Sequence, residues 1–202
     1  MLLIGYVVGS FNTSIIVSKF YGMDIREHGS KNAGMTNTIR VLGKAAGLLV
    51  ILGDVFKGIA SAYIGEYILR EFVLVPEIGM LLGGLGAMIG HNFPIFFGFK
   101  GGKGILTTAA VLMCIDFRIA MGLFGVFLVI VACTRYISLG SIVSAVLMPV
   151  VICIFRHDMA RGYILVWSIL VATSAVFMHR SNIERLLNGK ESKFSIKRKC
   201  KS

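Results

Sequence analysis

The chain of 202 residues is 56% hydrophobic and 15% charged, with a mean hydropathy of +0.82, whereas about 25% is charged in an ordinary soluble domain. Too few polar residues remain to cover a water-soluble core, so lipid is the expected solvent for most of the chain. The net charge of +11 sits in gaps between apolar runs, which fits membrane orientation and anionic ligands and not nucleic acid.

A single domain over 1–202 is expected. The first apolar run, 1–21, begins at Met1 without a basic leader or a small-residue cleavage site, and reads as a retained helix. The polar stretch 22–42 follows. Its segment "HGSKNAGMTNTIR" (28–40) places Gly29, Ser30, Asn32, Thr36, Asn37 and Arg40 close together. These residues supply donors for phosphate or hydroxyl oxygens, although Ser, Thr and Asn serve turns and helix starts equally well. The apolar run 43–69 is interrupted by Asp54 and Lys57. They are three residues apart and are expected to pair or to face a polar site, because a lone charge at bilayer depth is costly.

The run 73–90 leads into "GHNFPIFFGFKGGKG" (90–104). Gly98, Gly101, Gly102 and Gly104 surround Lys100 and Lys103 there. Glycines let backbone N–H groups turn toward one point, and the next apolar run supplies a helix N-terminus, so this loop is the expected phosphate grip. It is not a Walker A loop. Phe97 stands where that motif needs its first glycine, and Gly104 where it needs a hydroxyl. His91 and Asn92 at its start are further candidate substrate contacts.

Shorter or full spans are expected at 104–116, 119–134, 137–156 and 162–178, which makes seven with the first three. After the last comes "HRSNIERLLNGKE" (179–191), in which His179 and Asn182 share a helix face. Arg180 and Arg185 read equally well as interfacial anchors. Lys193, Lys197, Arg198 and Lys199 form a basic tail suited to setting topology. The four cysteines, Cys114, Cys133, Cys153 and Cys200, have neither metal nor redox spacing and read as packing residues. No metal site and no cofactor is expected.

With seven spans and a cytoplasmic C-terminus, sixteen basic residues fall inside and four (Arg70, Arg118, Arg156, Arg161) outside, a strong positive-inside bias. The N-terminus is then outside. The stretches 22–42, 91–103 and 179–190 all share the cytoplasmic face.

The three polar segments in this order resemble the bacterial acyl-phosphate:glycerol-3-phosphate acyltransferases, as does "LGDVFKG" at 52–58. The resemblance implies an all-α polytopic fold of seven transmembrane helices in the inner membrane. It implies acyl transfer from acyl phosphate to the 1-hydroxyl of glycerol 3-phosphate, giving lysophosphatidic acid and phosphate. Membrane lipids would surround the enzyme, and a second enzyme would supply the acyl phosphate. Ser30, Arg40, Lys103, His179 and Asn182 would be the catalytic set. Gly29, Asn32, Thr36, Asn37, His91, Asn92, Lys100, Gly101, Gly102, Gly104 and Ser141 would bind substrate. The chain departs from the family's usual pattern at "GSFNTS" (9–14), at Lys31, where a glycine is usual, and at Met35 in "GMTN". Lysine would be strained at position 31 if a positive φ is needed there.

Two anionic substrates in a partly dry site need cations and N–H dipoles, which these segments supply. No G-x-S-x-G elbow is present, and Phe96 occupies the place of the aspartate that follows histidine in another acyltransferase pattern. The proton acceptor is left open among the donor's own phosphate oxygen, His179 and His91. A transporter for an anionic solute and a catalytically inert scaffold are the alternatives from other classes.

Overall fold

The structure, a computed structural model, describes residues 1–194. Lys197, Arg198, Lys199 and Cys200 lie outside the described residues. Ten α-helices follow in order: α1 (Leu2–Gly9), α2 (Thr13–Phe20), α3 (Met35–Leu42), α4 (Lys44–Leu69), α5 (Glu77–Asn92), α6 (Ile105–Ile115), α7 (Phe117–Thr134), α8 (Ile137–Phe155), α9 (Arg161–Met178) and α10 (Arg180–Leu187). Short 3₁₀ turns sit at Ile25–Glu27 and Ile95–Phe97. No strand occurs among the described residues.

Six segments are long and apolar enough to cross a membrane: Leu2–Phe20, Lys44–Leu69, Glu77–Phe97, Phe117–Thr134, Ile137–Phe155 and Arg161–Met178. The 11-residue α6 is apolar but shorter. The expected single helix over 1–21 is two helices. Asn12 breaks it by accepting a hydrogen bond from the Ile15 N–H at 3.1 Å, which caps α2. Asp116 caps α7 in the same way through the Ile119 N–H, also at 3.1 Å. The polar stretches are not simple loops, since α3 lies within the first and α10 within the third.

Helix α5 is the axle of the bundle. Its glycines remove side chains on two faces. A Cβ at Gly79 or Gly83 would strike the α4 backbone at Gly65 or Ser61, and one at Gly86 or Gly90 would strike the α1 backbone at Leu2 or Tyr6. Both neighbours pack backbone to backbone, as small-residue stripes allow in lipid. The apolar core joins Met80, Leu81 and Met88 of α5 to Val111 and Leu112 of α6, Leu123 of α7, Met148 and Ile152 of α8, and Ile164 and Trp167 of α9.

The chain passes back and forth through α4–α9, so its connections gather at two ends. One end carries 21–43, 93–104, 135–136 and 179–194. The other carries 70–76, Asp116 and 156–160. There Arg156 is held by Asp116 at 3.2 Å and Asp158 at 2.5 Å. Cys114, Cys133 and Cys153 are free thiols.

Candidate active site

The glycine–lysine loop is the hub of the first end. It is braced by its own backbone: Phe99 N–H donates to the Pro94 carbonyl at 2.9 Å, Gly101 N–H to Asn92 at 3.1 Å and Gly102 N–H to His91 at 3.0 Å. The expectation that these N–H groups reach toward a phosphate is therefore corrected, because three of them are occupied within the loop. Glycine is required at 101 and 102 for a different reason. A Cβ would collide with the His91 carbonyl at 101, and with the His91 ring and Ala33 carbonyl at 102. Gly104 takes a left-handed φ of 73° and opens α6 without a side-chain cap. The first-turn N–H groups of α6 thus have no intrahelical acceptor and sit next to Lys103.

The first polar stretch docks on one side of this loop. Arg26 donates through Nη1 to the carbonyls of Phe97 (2.6 Å) and Lys100 (3.2 Å) while Asp24 grips its other edge at 2.6 Å. That pairing holds the Asp24 carboxyl below the usual carboxylate range. Phe97 packs with Ile15, Ile25 and Ala33, and Lys19 lies over its ring at 5.2 Å. Asn12 reaches both Ala33 and His91 carbonyls, at 3.5 and 3.4 Å.

The last polar stretch docks on the other side. Lys103 Nζ donates to Asn182 Oδ1. The Asn182 amide donates in turn to Glu191 Oε1 at 2.6 Å. Glu191 also accepts from Ser138 on α8 (2.7 Å) and from Arg185 (2.7 Å). An ammonium only donates and a carboxylate only accepts, so the two together fix which way the Asn182 amide points. Burial would raise the Glu191 carboxyl, but the hydrogen bonds from Asn182, Ser138 and Arg185 hold it below its ordinary value. Burial lowers Lys103 to about 8, with Glu191 opposing and Arg185 assisting.

The two buried histidines near the loop are opposite tautomers. His179, 3% exposed, points Nδ1 at the Ala175 carbonyl, 2.7 Å away. A carbonyl only accepts, so Nδ1 carries the proton and Nε2 keeps its lone pair. Burial, and then the Lys103 charge, push His179 down to about 4, so it is neutral near pH 7. His91 instead places Nδ1 2.8 Å from Lys57 Nζ. The ammonium donates there, which occupies the Nδ1 lone pair and leaves the proton on Nε2. Asp54 completes this buried cluster, 2.8 Å from Lys57. The expected pairing of Asp54 with Lys57 is present, with His91 as a third member.

The expected site residues divide accordingly. Lys103, His179 and Asn182 are together. Asn37, 1% exposed, is fully engaged by backbone: it accepts from Ser30 N–H at 2.8 Å and donates to the carbonyls of Ile25, His28 and Asn32 at 3.2, 2.9 and 3.2 Å. It shapes the Ser30 turn and has no donor left for a ligand. Gly29, with φ of 60°, fits against that same Asn37 oxygen. Ser30, Arg40 and Lys100 are exposed, with Asn32 and Thr36 half-buried nearby. Asn92 donates to Ser174 at 3.3 Å and keeps a buried Oδ1 without a partner. Ser141 is buried on α8, one turn from Ser138. Lys31 does adopt a positive φ, 59°, as the usual glycine there implied. Sequence reading missed Arg26, Ser138 and Glu191. Only Glu191 offered a signal, as one of two acids, with Glu184, among the basic residues of 180–193.

A helical bundle of apolar spans with its polar, cation-bearing residues gathered in the connections defines an integral membrane protein. A profile of the glycerol-3-phosphate acyltransferase family matches residues 1–189, and the chain belongs to that family. It is 43% identical over 192 residues to the glycerol-3-phosphate acyltransferase of Finegoldia magna (93% of this chain, 91% of the relative). It is 39% identical over 225 residues to that of Chlorobaculum tepidum (98% and 97%). The crystal structure of PlsY (YgiH), an integral membrane glycerol 3-phosphate acyltransferase, in its glycerol 3-phosphate form, matches with a TM-score of 0.85 at 33% identity, covering 96% of this chain and 94% of that one. Its lysophosphatidic acid form matches at 0.83 and 32% over the same shares.

Proposed function

We propose that this chain transfers the acyl group of acyl phosphate to the 1-hydroxyl of glycerol 3-phosphate, releasing lysophosphatidic acid and inorganic phosphate. The observation that carries the reading is Lys103. It is half-buried, anchored by Asn182, flanked by the open first turn of α6, and set beside a neutral histidine. In the forward step the hydroxyl oxygen bonds to the acyl carbon, and the bond from that carbon to the phosphate oxygen breaks. Lys103 and the α6 N–H groups offset the charge that gathers on the leaving phosphate. The hydroxyl proton passes to the departing phosphate or to His179 Nε2. His91 is a poorer acceptor, since Lys57 occupies its lone pair. Ser30 and Arg40 complete the catalytic set, holding the phosphate of glycerol 3-phosphate. Gly29, Asn32, Thr36, Lys100, Gly101, Gly102, Gly104 and Ser141 border the substrates, His91 and Asn92 support the loop from below, and Asn37 contributes through the turn it holds.

The same reading has α6 as the seventh crossing of one integral membrane domain, the N-terminus outside, and the site at the cytoplasmic face of the bacterial inner membrane. The sixteen-to-four distribution of basic residues supports it. Use of acyl phosphate ties the chain to the enzyme that makes that donor. The test is turnover of purified protein in nanodiscs with palmitoyl phosphate and glycerol 3-phosphate, read by mass spectrometry. The expected result is equimolar lysophosphatidic acid and phosphate. Product from acyl-CoA alone would overturn the donor assignment. Uptake into vesicles without product would favour a transporter. Cysteines placed at 35, 100 and 182 should all resist an impermeant thiol reagent in intact cells, and reaction at any one would overturn the orientation.

A further inference from the structure

Asp54 and Lys57 lie on the membrane-spanning α4, 2% and 4% exposed, where two apolar side chains would pack at less cost. Lys57 Nζ makes three contacts: Asp54 Oδ1 at 2.8 Å, His91 Nδ1 at 2.8 Å and the Phe11 carbonyl, in the break between α1 and α2, at 3.4 Å. The Asp54 contact is one of charge and not of aligned hydrogen bonding, since Oδ1 has no partner of good geometry. His91 is thus set from the membrane side. Its carbonyl receives the Gly102 N–H at 3.0 Å. Its ring occupies the space where a Gly102 Cβ would stand. Lys103 is the next residue. A continuous series of contacts therefore runs from Asp54 and Lys57, through His91 and Gly102, to the ammonium that meets Asn182.

We propose that Asp54 and Lys57 are positioning residues for acyl transfer, holding the Gly101–Lys103 backbone through His91 so that the Lys103 ammonium meets the reacting phosphate. Neither touches substrate. The proposal rests on the acyltransferase reading above. A displaced ammonium matters most where charge develops, so the loss falls on kcat and not on KM.

The test is the double variant D54N/K57M, which removes both charges and leaves neither unpaired. Folding is checked by monodisperse elution and thermal unfolding in detergent, and turnover is measured with palmitoyl phosphate. The expected result is a folded protein with kcat reduced about 10–100-fold and KM for both substrates within about 3-fold. Amide exchange at Gly101 and Gly102 should quicken at least about tenfold while α4 and α5 amides are unchanged. The milder D54N, which keeps an oxygen facing Lys57, should lose about 3–10-fold in kcat. Wild-type kcat in either folded variant, or a loss confined to KM, overturns the proposal. Failure of both variants to fold also overturns it, making the pair a determinant of folding alone. Wild-type protein without turnover would refute the acyltransferase reading instead, while the exchange measurement would still decide whether the pair holds the loop.

Discussion

The two ends of the bundle handle charge in opposite ways. At the end bearing 70–76 and 156–160, Arg156 lies between Asp116 and Asp158, and the Ile115 carbonyl is 3.5 Å away. Cation and acids balance or overbalance there. At the other end Asp24 pairs with Arg26, but near Lys103 one acid, Glu191, serves Ser138, Asn182 and Arg185, and Lys103 is joined to it only through the Asn182 amide. The second end keeps the Lys103 charge half-buried with no acid in direct contact, and the neighbouring His179 stays neutral. A saturated cluster holds elements together, whereas an undersaturated one is ready to receive an anion.

The comparison breaks most sharply at Lys103. K103A should fold and lose about 10²–10³-fold in kcat, and retention of activity would make the two ends equivalent. H179Q keeps size but offers no basic nitrogen. It should lose about 10²-fold if His179 receives the hydroxyl proton, and under about tenfold if the phosphate does. Steady-state kinetics at saturating substrate separate the two. The pH dependence follows from the same burial. Lys103, lowered to about 8, loses its charge above that pH, so kcat/KM should fall about tenfold per pH unit beyond it. K103R should flatten that limb, since guanidinium stays charged.

His179, lowered from its ordinary 6.5 to about 4, acts on stability in the opposite direction along the scale. The unfolded chain binds a proton below about 6.5 that the folded chain refuses until about 4. Its contribution is thus present above 6.5 and lost as pH falls toward 4, and H179Q should flatten unfolding temperature against pH across that window. R156M, at the balanced end, should lower the unfolding temperature and leave kcat within about twofold. The smallest expected effect is at Lys31. K31G relieves a φ of 59° and should stabilise by about 1 kcal/mol, read from thermal unfolding.

The all-helical character, most span limits and the gathering of three polar stretches were legible because lipid imposes long apolar runs and puts the polar residues between them; the helix count was not, since the described residues hold ten helices and six long apolar spans where seven were expected. The break at Asn12 was not anticipated, because the high hydropathy around it made 1–21 read as one helix. Lys103, His179 and Asn182 were named through the resemblance of the three polar segments, and the structure brings them together. The function of Gly101 and Gly102 was misread for a physical reason. Glycine serves both N–H display and close backbone approach, and only coordinates distinguish the two. Asn37 looked like a ligand donor for the same reason, since an amide that shapes a turn and one that meets a phosphate are identical in one dimension. Arg26 and Ser138 gave no signal, because their partners are 71 and 53 residues away.

Helix α5 has 61% of its span buried, with glycines against two neighbours, and α7 only 17%. Change therefore meets very different resistance along the chain. The axle admits almost no added atom, while most of α7 answers to the bilayer alone. A bilayer of new thickness or fluidity can be accommodated by rewriting that rim, with the chemistry at the hub untouched.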